Sequence, residues 1–264
     1  MESNNITLID VYAGSRLYKL DTPDSDFDRR YIYVTTDSSE ILGLNRHEFE
    51  DGRLEGVKDD YGEELRRFLK YLRKGNTNSI ELLFVDESET LSLSPFFKER
   101  LFVGREKLIP ADKLYHVLRG YGHGELKLAL GERTGRLGGK RQAQVATYGF
   151  SPKNFVQLLR LYRTGRVYYE TGVYPLVLND VFRQTLLNIK TQPENWKKEN
   201  LVDLARQEEA DMTTAFSQWE KTKPFNHFFD EEYAEELVAE VYFPILCTKF
   251  LKNSLILKRS NENS

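Results

Sequence analysis

Apolar and polar residues change rhythm part-way along this chain. From Ile6 to Tyr12 a short apolar-rich run stops at Gly14-Ser15, which predicts a strand running into a turn. Leu20 to Ser25 (LDTPDS) has turn chemistry, with Pro23 between Thr22 and Asp24. Over Phe27 to Thr35 charged residues alternate with Tyr, Ile and Val, predicting a second strand. Leu65, Phe68, Leu69 and Leu72 draw one apolar stripe along a helix from Glu63 to Lys74, closed by Gly75-Asn76. Ile80 to Val85 (IELLFV) then predicts another short strand, with one acid inside it.

After about Ser94 the spacing becomes mostly helical. Helices are predicted over Phe155 to Tyr162, Leu176 to Ile189, Leu201 to Trp219 and Tyr233 to Leu251. Glu132 to Lys140 (ERTGRLGGK) is Gly-rich and basic, which suits a mobile loop, and the polar end SNENS is expected to fray. No internal repeat is visible.

Composition narrows the class. Of 264 residues, 40% are hydrophobic and 30% charged, the balance of a soluble globular protein with a real core. Lys and Arg number 38 against 41 acids, for a net charge of −3. Broad nucleic-acid binding surfaces carry a basic excess, because phosphate contacts supply most of the affinity. Any nucleic-acid contact here must therefore come from a local patch, or the substrate is a small nucleotide. The single cysteine, Cys247, excludes an internal disulfide framework and a cysteine-rich zinc site, and its apolar setting (YFPILC) reads as an inert buried thiol. Four scattered histidines suggest no metal cluster. The start, MESNNITLID, lacks the basic and apolar regions of a signal peptide, and no apolar stretch reaches membrane-spanning length. A cytoplasmic protein, with no membrane partner, is the expectation.

The informative segment is AGSRLYKLDTPDSDFDRR. Asp26 and Asp28 flank one residue, so on a strand their carboxylates point to the same face. Phosphoryl transfer from a nucleotide needs a divalent metal held by converging carboxylates and donors that hold the triphosphate. Gly14 allows close backbone approach at a turn, and the Ser15 hydroxyl and nearby N–H groups can meet phosphate oxygens, with Arg16 assisting. A third carboxylate is expected on a neighbouring strand. Glu81, an acid among Ile80, Leu82, Leu83 and Phe84, is the choice, since metal would supply the partner it needs; the alternative is a solvated strand end. A lone acid-x-acid pair is common in solvated turns. A Gly-Ser turn followed closely by D-S-D-x-D is far more restrictive.

These residues resemble the DNA polymerase β-type nucleotidyltransferase superfamily, whose signature is a Gly-Ser turn, an acid-x-acid strand and a later third carboxylate. More narrowly, GSRLYKLDTPDSDFD resembles the RNA repair pathway DNA polymerase β family (RlaP) of predicted nucleotidyltransferases. Lys19 stands where that family commonly has a second Gly. NTNSIELLF (residues 76–84) is similar to the family's N-P-x-x-x-E-L-L segment and points again to Glu81. Tyr148 to Thr171 resembles a Y-G-Y-x-x-K-x-x-x-H-x-x-R-L-L block: Lys153 and Arg160 match, and Gln157 replaces the usual His. By that resemblance Lys153 and Arg160 face the nucleotide from one side of a helix, Lys as a point charge on phosphate and Arg as a bidentate fork.

The expected fold is α+β. A catalytic module over residues 1–105 holds a small mixed sheet with helices on one face, a helical substrate-binding region covers 106–255, and 256–264 form a disordered tail. The expected reaction moves a nucleoside monophosphate from an NTP to a hydroxyl acceptor and releases pyrophosphate, with Mg²⁺ (or Mn²⁺) held by Asp26, Asp28 and Glu81. Family association makes an RNA end the leading acceptor. A protein side chain, a small metabolite, or a non-catalytic nucleotide sensor are the competing readings. Arg133, Arg136, Lys140 and Arg141 form a basic stretch that could track a phosphate backbone or simply be a solvated loop. His123 (in GYGHGE) reads as a turn histidine, and Trp196 and Trp219 as helical core.

Overall fold

The computed structural model describes residues 5–43, 60–133, 138–225 and 227–261, with side chains described as far as residue 250. Strands β1 (Ile6–Tyr12), β2 (Arg29–Val34), β3 (Asp60–Glu64) and β4 (Thr90–Leu93) form one four-stranded sheet in the order β3-β2-β1-β4. β1 is antiparallel to β2 and β4, whereas β3 is parallel to β2, so the sheet is mixed. The register sets Tyr12 beside Arg29 and Arg29 beside Asp60. The end of β1, the start of β2 and the start of β3 therefore meet along one margin of the sheet, and the loops that leave it converge there.

Ile9, Val11, Ile32 and Val34 are all at most 1% exposed and pack in one core with α2 (Leu65–Arg73). The stripe read from the sequence, Leu65, Phe68, Leu69 and Leu72, is the buried face of that helix. Each such side chain contributes roughly 1.5–3 kcal/mol on burial, so this face fixes the helix against the sheet. The Glu64 carboxylate accepts from the Arg66 N–H and starts the helix, and Gly75, at φ +74°, ends it. A short helix, α1 (Ser38–Ile41), capped by Asp37, follows β2.

Two local expectations are corrected. Glu63 and Glu64, expected to begin the helix, end a strand over residues 60–64 (DYGEE), whose acids obscured the strand signal. Ile80–Val85 is not a strand. The Asn76 side chain accepts from the N–H groups of Asn78 (3.0 Å) and Ser79 (3.3 Å), which starts a helix, α3 (Thr77–Leu82). Ile80, Leu82 and Leu83 are buried there, and a short apolar run fits a buried helical turn as well as a strand.

The second half is helical: α4 (Ala111–Ala129), α5 (Gly139–Tyr148), α6 (Pro152–Thr171), α7 (Asp180–Thr191), α8 (Lys198–Thr222) and α9 (Glu231–Asn261). α6 is central and packs between α4 and α8. A side chain at Gly122 of α4 would collide with the Tyr162 ring of α6, so glycine here permits close helix packing. His123 is accordingly on a helix, not in a turn, and its Nε2 lies 2.8 Å from Glu209 Oε1 of α8. Tyr115 stacks on Phe216 (4.1 Å between centroids), and the Trp219 indole donates to the Phe225 carbonyl, so these aromatics belong to the core. One buried cluster runs from the sheet through α2, α4, α6 and α8. The architecture is the expected α+β, a sheet core followed by helices, and α9 carries helix on to Asn261.

Candidate active site

The loops at the sheet margin are held by backbone and by one arginine. The Ala13 N–H donates to the Asp28 carbonyl (2.8 Å), which draws the end of β1 against the acidic loop before β2. Gly14 lies at φ +63°, and a Cβ there would sit 2.9 Å from Asp28 Oδ2. Only glycine combines that conformation with that approach. Ser15 is half-buried in the turn, and its carbonyl accepts from the Leu20 N–H (2.8 Å). Lys19, the residue at the family's second glycine position, has φ +54°, so the chain keeps the left-handed turn without the glycine. Arg16 braces the loop: its guanidinium donates to the carbonyls of Ser25 (3.1 Å) and Asp26 (3.2 Å) and pairs with Asp21 (3.4 Å). The structure thus places Arg16 as a strut under the acidic loop. Asp26 is exposed and Asp28 half-buried; both precede β2, which begins at Arg29.

Gly14 and Asp28 line a cavity of about 500 Å³ together with Arg30, Tyr61, Glu63 and Asn78. Arg30 follows Asp28 by two residues on the same face, and Tyr61 and Glu63 come from β3 alongside. Glu63 is buried, and that burial raises its carboxyl above the ordinary range, only partly offset by Arg30, Tyr61 and Arg67 and by the Ser79 hydroxyl, which donates to it at 3.4 Å. The pocket therefore offers the Asp28 carboxyl group, a cation and an acid whose proton is held more tightly than usual. Sequence reading missed Glu63 and Arg30. DYGEE carries no local signal for Glu63, whereas Arg30 could have been found by its place two residues after Asp28.

Glu81 is elsewhere. It sits on α3, fully buried, with Oε1 accepting from Arg160 Nη1 (3.0 Å) and Oε2 from the Tyr18 hydroxyl (2.7 Å). Arg30 Nη1 is 3.7 Å from Oε2. Both carboxylate oxygens are thus taken by protein donors, and Glu81 stands behind Arg30 rather than in the cavity. Burial keeps the Tyr18 phenol protonated as a donor despite the neighbouring Arg160. Arg160, 1% exposed, also donates from Nε to Gln157 (3.3 Å) and lies over the Tyr18 ring (3.6 Å). The two residues read as a third metal ligand and a phosphate fork are each other's buried partners in the structure. Gln157 serves Arg160 as a hydrogen-bond acceptor.

Lys153 is exposed at the first turn of α6. Near it lies Lys190 of α7, which no sequence motif singled out. Its ammonium donates to the Leu20 carbonyl (2.6 Å) and sits 3.4 Å from Ser25 Oγ. Partial burial, and then the charge of Lys153, lower its pKa, against the pull of Asp21. The helical region thus brings Lys190 to the acidic loop, with Lys153 beside it. In the basic stretch, Arg136 lies outside the described residues, whereas Lys140 is exposed and Arg141 half-buried in the first turn of α5.

Among the described residues no three His, Cys, Asp or Glu side chains converge on one point. The hard carboxylate oxygens of Asp26 and Asp28 nevertheless suit Mg²⁺ or Mn²⁺, and Mg²⁺ is usually held by one or two carboxylates with substrate phosphates rather than by a protein cage.

A mixed sheet with a Gly-Ser turn beside an acid-x-acid loop, backed by helices, has the parts of a DNA polymerase β-type nucleotidyltransferase core. Residues 2–133, half of the chain, match the model of RlaP, the RNA repair pathway DNA polymerase beta family, and the chain belongs to that family. The match ends before α5, so the block from Tyr148 to Thr171 lies beyond it. No curated protein and no solved structure matches the chain significantly. Among the described residues no helix is long and apolar enough to cross a membrane.

Proposed function

We propose that this chain transfers a nucleoside monophosphate from an NTP to a hydroxyl acceptor, an RNA end being the acceptor that the family description favours. One observation carries the reading: the Gly14 backbone and the Asp28 carboxylate approach so closely that only glycine fits between them, at the mouth of a cavity of about 500 Å³. Asp26 and Asp28 would hold Mg²⁺ or Mn²⁺. When bound, the cation neutralises phosphate charge and orients the displacement. The Gly14-Ser15 turn offers N–H groups and a hydroxyl to phosphate oxygens. Arg30 and Lys153 supply positive charge on two sides of the loop. Glu63, its carboxyl raised by burial, accepts the acceptor's hydroxyl proton once ionised. In this scheme Glu81 and Arg160 set the position of Arg30 and of the Tyr18 turn and touch no substrate.

Incubation with each α-³²P-labelled NTP and Mg²⁺, with and without RNA, tests the proposal, with Asp26→Asn as control. Label should move to RNA, and only with intact Asp26, because the substitution removes one charge with little change of shape. Label on protein or a small product would keep the transferase and replace the acceptor. NTP binding without transfer under any condition would make the chain a nucleotide-binding protein.

A further inference from the structure

The residue between the two carboxylates is itself unusual. Phe27 is 63% exposed, although apolar rings of this size generally seek the core. It is not loose. The Arg16 guanidinium lies 3.5 Å from the ring centroid, and three hydrogen bonds to Asp21, Ser25 and Asp26 hold that guanidinium in place. Tyr12 meets the ring edge-on at 5.6 Å and is itself 37% exposed. A cation braces the ring and an aromatic supports its edge, and most of the ring's surface stays open to solvent.

We propose that Phe27, braced by Arg16 and Tyr12, is a stacking platform for a nucleobase at the reacting end of the substrate. The inference rests on the nucleotidyltransferase reading of the same loop. A flat π-face accepts any base, and its binding cost is low because the ring is already held in position. Phe27 is one residue from each proposed metal ligand, so a base stacked there leaves its sugar and phosphate beside Asp26 and Asp28. A protein-docking role needs a contiguous apolar patch, and the neighbours here are Asp24, Asp26, Asp28 and Arg16. The same acids repel an anionic membrane surface. Tyr12 and Arg16, the two residues that brace the ring, also line a second cavity of about 510 Å³, with Phe84 and Val177 at its apolar wall.

Two sources could supply the base: the NTP or the terminal nucleotide of an oligonucleotide acceptor. The full-length chain and its Phe27→Leu and Phe27→Trp variants would be titrated with ATP, with inorganic tripolyphosphate and with a short single-stranded oligoadenylate, all with Mg²⁺. Leucine keeps apolar bulk and removes the π-face, whereas tryptophan restores it and reports contact by fluorescence. Phe27→Leu should weaken at least one base-bearing ligand roughly fivefold or more, the size of one lost base–aromatic stack, and leave tripolyphosphate unchanged. Phe27→Trp should restore the affinity, with its emission quenched by that ligand. Weakening of ATP alone assigns the platform to the NTP; weakening of oligoadenylate alone assigns it to the acceptor. Equal loss for tripolyphosphate, or no loss for either base-bearing ligand, overturns the platform. Label transfer by the wild type is scored separately. Transfer with an inert Phe27→Leu refutes only the platform, and base-dependent binding without transfer refutes only the transferase.

Discussion

Arg160 donates to Glu81 at 3.0 Å across 79 residues of sequence, and neither side chain is more than 1% exposed. Breaking such a pair from one side leaves a buried charge without its main partner, which typically costs roughly 3–5 kcal/mol. Arg160→Ala should lower the urea midpoint accordingly, and Glu81→Gln/Arg160→Met should recover part of the loss. Glu81→Gln alone should lower stability, while the folded protein binds Mg²⁺ with unchanged affinity and NTP only modestly more weakly, through Arg30. If it unfolds no more easily than wild type yet loses Mg²⁺ binding, Glu81 is a metal ligand and not only a partner of Arg160.

Gly14→Ala forces a side chain into the left-handed region at a penalty of about 1–2 kcal/mol and brings its Cβ against Asp28. The melting temperature should fall modestly, and label transfer should fall much further, because the displaced group is the proposed metal ligand. A proportionate loss of both would deny the turn any role beyond folding.

Glu63 predicts a pH signature. Its folded-state carboxyl is raised, so the native state holds the proton longer than the unfolded chain does. The sign follows from linkage: stability is lost as pH rises from the ordinary carboxylate range through the raised folded value, and is not lost below that range. Glu63→Gln should therefore raise the melting temperature at pH 7, with the gain vanishing at pH 4. Transfer should drop by about 10²- to 10⁴-fold if Glu63 is the proton acceptor. A variant as active as wild type would leave the acceptor proton to another group.

Lys19 occupies a left-handed conformation at φ +54°, and its ion pair with Glu89 (2.7 Å) is largely exposed. The conformation costs about 1–2 kcal/mol in a non-glycine residue, whereas exposed pairs contribute about 0–1 kcal/mol. Lys19→Gly should be neutral or stabilising by up to about 1 kcal/mol in chemical denaturation. Clear destabilisation would show that the Glu89 pair outweighs the backbone strain.

Most of the sheet margin was legible in the sequence. The run from Ile6 to Tyr12, the Gly14-Ser15 turn and the stripe on α2 carry local signals, periodicity and turn chemistry, and each appears in the structure where those signals put it. Glu81 was not legible. Its spacing told of an acid that needs a partner, but a metal and a distant arginine satisfy that need equally, and only tertiary packing distinguishes them. Glu63 was hidden for the opposite reason. An acid-rich pentapeptide lacks the apolar alternation of a strand, and it becomes one by pairing in parallel with β2. Lys190 could not be found at all, because nothing local to α7 reports that its ammonium ends on the Leu20 carbonyl.

That last contact joins groups 170 residues apart, whereas Arg16 grips the same loop from 10 residues away. The two supports therefore belong to different moments in the life of the chain. During synthesis the short-range strut can close as soon as the sheet forms, since domains emerge and fold from the N-terminus onward. The long-range one must wait for α7. Until then the carboxylate loop is held by its local contacts alone, so the ribosome-bound protein has its acids in place well before their setting is complete.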